Sequence, residues 1–406
     1  MAIKNKSQLK EFGSVLRGVT FDPEKDFRPF GSEHSIELLR SNNIQENVLV
    51  LDNTYNLSLE RVKNDQILNY GDILICMANG SKDLVGKTAF VSEKVSRRYT
   101  FGSFMGAFRP HKQEQGAFLQ YLFQTAAFRD HVNLVLAGSS INNLTPALIE
   151  EFVFEAPEID EQKAIAEALS DIDELIARLK QEISKRKNIF QAALATLLSN
   201  SDLPEDIQQG WEKYTLKELG NFYKGKGITK SEVRESGLAC IRYGEIYTKF
   251  SAVIHKFYSY IDAETAKASV RIKMGDILLA GSGETKEEIG KATAFLFEDE
   301  AYAGGDIVIF RPHNVDSRFF GYLLNSPMVT SQKARAGKGD AVVHISASDL
   351  ENITVVIPQK DEQVAISQIL FDIEKSISTC EEQLLKMEML KQGMMHDLLT
   401  GRVRLV

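Results

Sequence analysis

The chain has 406 residues, of which 43% are hydrophobic and 26% charged, and its formal net charge is −8. This length predicts at least two domains, and the composition is typical of a globular protein without a membrane-spanning segment. The acidic balance excludes a protein that coats nucleic acid by bulk attraction, and three cysteines without a CxxC pair exclude a disulfide framework and a zinc knuckle.

The N-terminal segment, Met1–Phe12, lacks the apolar core of a secretion signal, which predicts a cytoplasmic protein. Short β-like runs follow at Asp72–Ala78 and Thr88–Val91, and apolar periodicity predicts a helix around Ala117–Phe128. A helical segment of about forty residues begins near Asp160. The part of the chain before this segment is therefore expected to be an α+β domain.

The same plan then occurs a second time. Gly71-Asp72-Ile73-Leu74 and Gly86-Lys87 recur 204 residues later, and Phe108-Arg109-Pro110-His111 recurs 202 residues later. Solenoid repeats have about 20–50 residues, so a period near 200 indicates a duplication of whole domains. The second copy has β-like runs at Asp276–Ala280 and Asp306–Arg311, a predicted helix at Arg318–Leu324, and a second long helical segment that begins near Asp361.

Apolar residues along both long segments are spaced alternately four and three residues apart, a heptad pattern that favours a partner helix. Asp160 and Asp361 are predicted N-caps, and Gly401 is predicted to end the second helix. We expect the two helices to pair; the alternative is that each packs only on its own globular part. The predicted pairing residues are Ile165, Leu169, Ile172, Ile176, Leu179, Ile183, Ile366, Leu370, Ile373, Ile377 and Leu384.

Antiparallel pairing suits the two-fold symmetry of duplicated units. Because each globular part precedes its own helix, an antiparallel pair would hold the two parts at opposite ends of a rod. The predicted fold is therefore α+β, with two globular domains separated by two long antiparallel coiled-coil helices. The predicted boundaries are 1–156 and 201–357 for the globular domains and 157–200 and 358–406 for the helices, with a polar linker at Ser199–Gln209.

This arrangement resembles the specificity subunit of type I restriction-modification enzymes over the whole chain. The resemblance rests on the duplicated halves, the Gly-Asp-Ile-Leu and Gly-Lys stretches, the helix starts at Pro157–Gln162 and Pro358–Gln363, and the C-terminal Leu398–Arg404. One departure is that the first half lacks an aromatic residue equivalent to Trp211. Its first strand is therefore expected to be built differently.

The resemblance implies that each globular part is a target-recognition domain that reads one half of a bipartite, asymmetric DNA site. The helices would separate these half-sites. The implied partners are double-stranded DNA, two methyltransferase subunits, and restriction subunits that join through the methyltransferase core. A specificity subunit of this kind has no catalytic residue, no cofactor and no membrane partner.

The sequence also argues against catalysis. Gly80–Thr88 is similar to a phosphate-binding loop, but five residues instead of four separate its glycines, and Ala292 replaces the magnesium-binding hydroxyl in the second copy. No two prolines are adjacent, which excludes the Asn-Pro-Pro-aromatic signature of adenine methyltransferases. The seven histidines include no HExxH motif, so that we expect neither a metal site nor a cofactor.

Cations in or near glycine-bearing loops are the candidates for DNA contact, because Lys and Arg bind phosphates and Arg also pairs with base edges. The loops at Ala137–Ser140 and Ala336–Gly339 occupy equivalent places in the copies. For any single cluster, the alternative is an ordinary solvated loop. The candidates are Lys82, Lys87, Arg97, Arg98, Tyr99, Gly138, Ser139 and Ser140 in the first copy, and Arg242, Tyr243, Lys286, Lys291, Lys333, Arg335 and Lys338 in the second.

Two other functions stay open at this stage. One is a coiled-coil adaptor that binds proteins and never contacts DNA. The other is a single-chain DNA-modifying enzyme with unfamiliar motifs. Methylome sequencing with and without the gene distinguishes the adaptor, and assays of S-adenosylmethionine binding and DNA cleavage distinguish the enzyme.

Overall fold

A computed structural model of the chain describes residues 6–93, 95, 98–137, 142–198, 210–339 and 342–405. The chain forms two compact units: Met1–Lys180 with Gln383–Val406, and Gln181–Glu382. Each unit combines a globular α+β part, the first half of its own long helix and the last part of the other long helix. Within the described ranges, no helix is both long enough and apolar enough to cross a membrane. The predicted linker at 199–209 lies outside the described residues.

Each globular part contains an antiparallel four-stranded sheet, called the main sheet below. The strand order is the same in both copies, which confirms the duplication in three dimensions. The central strands Ile73–Cys76 and Ile277–Ala280 are buried along their whole length, as expected for apolar runs covered on both faces. In spatial order, the strands are Gly13–Arg17, Met105–Pro110, Ile73–Cys76 and Thr88–Phe90 in the first copy, and Gly220–Lys224, Ile307–Pro312, Ile277–Ala280 and Ala292–Ala294 in the second.

A second four-stranded sheet in each copy is where the two halves differ. Both contain one parallel pair of strands with an antiparallel strand on one side. The fourth strand pairs with that antiparallel strand in the first copy and with the other side of the parallel pair in the second copy. The two copies therefore share a scaffold and differ at the edge of the second sheet. The strands are Tyr99–Phe101, Ser35–Leu39, Tyr55–Ser58 and Phe27–Arg28 in the first copy, and Ser259–Ile261, Leu238–Ile241, Ala301–Ala303 and Val270–Ile272 in the second.

The repeated Gly-Asp-Ile-Leu and Phe-Arg-Pro-His stretches meet in the main sheet. Asp72 accepts two hydrogen bonds from Arg109, at 2.7 and 2.9 Å, and Asp276 accepts two from Arg311, at 2.7 and 2.8 Å. Both carboxylates are almost completely buried. A bidentate guanidinium is the partner that satisfies such a buried carboxylate. The two motifs are therefore the halves of one structural ion pair.

The first strand of the first copy is built in the same way as that of the second, contrary to our expectation. Lys6–Gln8 pairs antiparallel with Val153–Glu155, and Glu212–Thr215 pairs antiparallel with Thr354–Ile357. In the second copy, Trp211 adds a hydrogen bond from its Nε1 to Glu362. Backbone pairing with the strand before the long helix is sufficient without this aromatic residue.

Short helices pack against each main sheet. The predicted helix at Ala117–Phe128 is two helices, Gly116–Leu122 and Ala126–Ala137, and that at Arg318–Leu324 is Ser317–Leu323. The other α-helices of the described residues are Pro23–Asp26 and Pro146–Glu150 in the first copy, and Leu216–Leu219, Tyr243–Thr248, Ala263–Ala268, Pro327–Ala336 and Ala347–Glu351 in the second. Two further two-stranded sheets are Ile44–Gln45 with Val48–Leu49 and Ser282–Gly283 with Val343–His344.

The long helices extend over Ile159–Leu197 and Lys360–Leu399. Both begin one residue before the predicted N-cap, so that Asp160 and Asp361 lie in the first turn, where they favour the positive end of the helix dipole. The chain leaves the second helix through Gly401, which has a φ of 65°. Gln162 and Gln363 fasten the helix starts, because each donates to the carbonyl oxygen of the preceding proline, Pro157 or Pro358.

Within each unit the two helix segments run antiparallel. In the first unit, Arg404 pairs with Glu161, Lys391 with Asp173 and Glu388 with Lys180. The partner number falls as the other rises. In the second unit, Lys187 pairs with Glu381 and Leu198 lies in one core with Leu370, so that the partner number falls there too. Of the predicted pairing residues, Leu179, Ile373 and Leu384 are half-buried and the others are buried.

Each long helix pairs with the other helix and also packs on its own globular part, so that packing on the globular part does not replace helix pairing. Ile165 and Leu169 pack with their own globular part, and Leu398 and Leu399 from the end of the other helix join the same core. In the second unit, Ile366 and Leu370 pack with Leu198 in the equivalent way. Each globular core is therefore completed by the end of the helix from the other copy.

Candidate nucleic-acid interface

The loop after the central strand is a candidate interface in each copy. Lys82 and Lys286 are exposed in these loops, while Lys87 and Lys291 are half-buried where the loops end. The amide of Gly86 donates to Cys76 and that of Gly290 to Ala280, which closes both loops at the same point. Two exposed ammonium groups are thus presented from equivalent, rigidly closed loops.

A neighbouring helix contacts each loop through a basic side chain that donates a hydrogen bond to the loop backbone. Arg129 donates to the carbonyl oxygen of Val85 at 2.7 Å, and Lys333 donates to that of Gly290 at 2.6 Å. Gly86 and Gly290 have φ values of 83° and 69°, and an added Cβ would lie within about 3.1 Å of the packed helix side chain. These contacts explain the glycine of the repeated Gly-Lys motif. The role of Arg129 was not predicted from sequence.

Burial removes two candidates from the surface. Lys333 is 1% exposed, and its burial lowers the pKa of the ammonium group to about 7. Tyr99 is 8% exposed and lies in the second sheet, where its strand pairs with Ser35–Leu39. Neither side chain is therefore available for a phosphate contact in this structure. The sequence did not reveal this, because the identity of a polar residue in a helix or strand does not show whether its side chain faces the solvent or the core.

Several second-copy candidates lie around the loop at 281–291. The helix that begins with the exposed Tyr243 contacts it, since Tyr247 donates to Ser282 and Lys291 donates to Tyr247. Burial lowers the pKa of Lys291. Arg242, half-buried, precedes this helix, and the backbones of Lys338 and His344 pair beside the loop.

The remaining candidates are more scattered. Arg98 and Arg335 are exposed. Lys338 is exposed but forms an ion pair with Asp349 at 2.7 Å, which together with Ser346 lowers the pKa of that carboxyl to about 2. Arg97, Gly138, Ser139 and Ser140 lie outside the described residues.

The first copy has a groove that the sequence did not predict. It encloses about 740 Å³ between the loop after the central strand, the turn at Arg40–Asn42 and the segment at Gly102–Met105. Asn79 and Asn142 also line it, and Phe104 stands 70% exposed at its edge. Of the described residues that line the groove, none is acidic and one, Arg40, is cationic. The groove therefore presents amide groups and one cation together with an exposed aromatic ring.

The family profile of the type I restriction modification DNA specificity domain matches the sequence twice, over residues 4–185 and 208–388. The specificity subunit of the type I restriction enzyme EcoKI from Escherichia coli (strain K12) is 24% identical over 394 residues, which cover 91% of this chain and 82% of that one. The specificity subunit of StySPI from Salmonella potsdam is 31% identical over 192 residues, or 46% of this chain and 41% of that relative.

Solved structures agree with the fold. The S subunit of a type I restriction-modification system from M. genitalium superposes with a TM-score of 0.63 at 15% identity, covering 97% of this chain and 96% of that one. A chain from a study of complex assembly in the type I R-M system superposes with a TM-score of 0.55 at 16% identity, covering 98% of both chains.

Proposed function

The chain belongs to the type I restriction modification DNA specificity family, and we propose that it selects the DNA sequence for a methyltransferase and restriction complex without catalysing a reaction itself. The observation that carries the proposal is the double match of the specificity domain, one on each copy of the fold. Each globular domain reads one half of a bipartite site. The domain boundaries that we propose are 1–156, 157–200, 201–357 and 358–406.

The structural difference between the copies supports an asymmetric site. The main sheets are equivalent, whereas the second sheets differ at their edges and the loops differ in chemistry. Two readers built on one scaffold but with different surface groups recognise different half-sites, because base readout depends on the donors and acceptors presented to the groove. The exposed loop lysines, Lys82 and Lys286, contact phosphates in this proposal.

The partners of the proposal are double-stranded DNA, two methyltransferase subunits and the restriction subunits that join them, in the cytoplasm. The exposed apolar side chains of the long helices, including Leu385 and Met389, are the contacts that we assign to methyltransferase subunits. Exposed apolar groups on a helix otherwise covered by charged residues mark a surface for protein partners. The net charge of −8 argues that the isolated chain binds DNA weakly.

A gel-shift titration with and without the methyltransferase subunit tests the proposal. We expect tight, sequence-dependent binding only when the subunit is present. Equal affinity in both cases would contradict it. Methylome sequencing of a host that carries or lacks the gene is the complementary test, in which loss of one bipartite methylation motif is expected.

A further inference from the structure

The groove of the first copy contains side chains that match one particular base pair. Asn42 is exposed, and its side-chain amide has no hydrogen-bond partner among the described residues, so that both its donor and its acceptor are free. Asn79 donates to the hydroxyl of Ser41 at 3.3 Å and steadies the turn that carries Asn42. An asparagine amide pairs with N6 and N7 of adenine in the major groove.

Phe104 is an apolar side chain that lines the same groove as Asn42. Its ring is 70% exposed, although its backbone carbonyl is fixed by bonds from the amides of Met77 and Ala78, at 2.9 and 3.1 Å. Because the backbone is held by these hydrogen bonds, the exposed ring is available for an apolar contact at a defined position. The C5 methyl group of thymine is the apolar feature of a base pair in the major groove.

We propose that the rim of this groove enters the DNA major groove over an A·T pair of one half-site, with the exposed Asn42 on the adenine and the exposed Phe104 on the thymine methyl group. The inference rests on the proposed function, since it names the base pair that one of the two readers contacts. Arg40, whose guanidinium group lies 4.1 Å from the centre of the Tyr55 ring, is the cation of the groove and favours the nearby phosphate backbone.

The second copy presents different groups at the equivalent positions. The equivalence is fixed by the backbone, because Leu144 donates to Met77 as Ile345 donates to Gly281, and Gly281 donates to Asp306 as Met77 donates to Phe104. A carboxylate therefore replaces the exposed ring. The second copy therefore has no apolar side chain at the position of Phe104, and we assign the A·T contact to the half-site read by the first copy.

Base analogues in the complex of the full chain with its methyltransferase subunit test this assignment. Uracil in place of thymine removes the methyl group, and 7-deazaadenine removes the adenine N7. We expect each analogue to weaken wild-type binding about threefold to tenfold at one position of one half-site. Phe104→Ala should abolish the preference for thymine over uracil at that position, and Asn42→Ala should abolish the preference for adenine over 7-deazaadenine.

Phe30→Ala and Asn133→Ala are the matched controls, since Phe30 is 84% exposed and Asn133 is exposed on a helix of the same copy. Both controls should retain the full analogue preferences. If Phe104→Ala and Asn42→Ala also retain them while the wild-type complex discriminates between sequences, the groove assignment is wrong and the proposed function stands. If the wild-type complex shows no sequence preference at all, the proposed function itself fails.

Discussion

At the scale of single residues, the repeated motifs of this chain serve the scaffold. The Asp72–Arg109 and Asp276–Arg311 pairs join the central strand of each main sheet to its neighbour, with the carboxylates 1% exposed or less. The carboxylates also accept from the backbone amides of Asn69 and Lys273, which fixes the turns at Gly71 and Gly275. The repeated aspartate and arginine are thus explained by their structural role in the main sheet, and no catalytic role is needed to account for them.

Asp276→Asn is expected to lower the free energy of unfolding of the second unit by about 3 kcal/mol, because it leaves a partly buried guanidinium group without its charge partner. Urea unfolding monitored by Trp211, the single tryptophan of the chain, measures this change. Lys217→Ala, which breaks the exposed Lys217–Glu351 pair, is the control and should cost less than about 1 kcal/mol. Equal effects of the two substitutions would refute the structural role.

Lys333 makes the stability of the second unit depend on pH. Burial lowers the pKa of its ammonium group from 10.5 to about 7 in the folded state, so that the unfolded chain binds the proton more tightly. Its contribution to stability therefore increases as pH rises from about 7 towards 10.5 and is constant at lower pH. Lys333→Met should remove this dependence.

The expected measurement is a difference between wild type and Lys333→Met that changes by about 2 kcal/mol between pH 7 and pH 9, with wild type gaining relative to the variant. Trp211 fluorescence in urea reports it. The exposed Lys230→Met serves as the control and should follow the wild-type pH profile. A constant difference across this range would show that Lys333 is charged in the folded chain at both pH values.

At the scale of elements, the long helices and two strands of each main sheet could be predicted from sequence, whereas the strand order of the main sheets and the whole of the second sheets could not. The heptad positions and the buried runs at Ile73–Cys76 and Ile277–Ala280 have local periodic patterns. The second sheets consist of strands of two to five residues, such as Phe27–Arg28, whose pairing is decided by distant parts of the chain. Local periodicity carries no information about such pairing.

Lys391 occupies a heptad position at which an apolar residue is expected, and the sequence did not explain this lysine. Lys391 pairs with Asp173 at 2.6 Å, and Asp173 accepts from the hydroxyl of Tyr121. In the second unit, Tyr322 donates to Glu374 in the same way, and the ring of Phe190 occupies the place of the lysine. One unit thus uses a cation and the other an aromatic ring against an equivalent tyrosine.

The end of the second long helix lies in the core of the first unit, so a substitution there should destabilise the first unit and not the second. Leu398 is 6% exposed in the core of the first unit, so that Leu398→Ala should destabilise that unit by about 3 kcal/mol. Hydrogen exchange should show lost protection at Ile73–Cys76 with little change at Ile277–Ala280. Leu385→Ala, on the same helix but 59% exposed, should leave both strands protected. Equal loss in both strands would contradict the assignment of Leu398 to one core.

At the scale of the whole molecule, the proposed function makes the long helices a spacer between two readers. The unit boundaries fall inside both helices, after Lys180 and after Glu382. Residues added at these two points lengthen the helices without interrupting either core. An added heptad also preserves the four-three spacing of the apolar residues, on which helix pairing depends.

Insertion of seven helix-forming residues after both Lys180 and Glu382 should therefore lengthen the unread gap of the DNA site and leave both half-sites unchanged. Seven residues add about 10 Å to a helix, the length of about three base pairs. Methylome sequencing of cells that carry the variant and the methyltransferase subunit gives the new motif directly. The same insertion in one helix only should abolish methylation, because ion pairs such as Lys187–Glu381 can no longer form in register with the rest of the seam. If the double insertion changes the half-sites or leaves the gap unaltered, the helices do not set the distance between the readers.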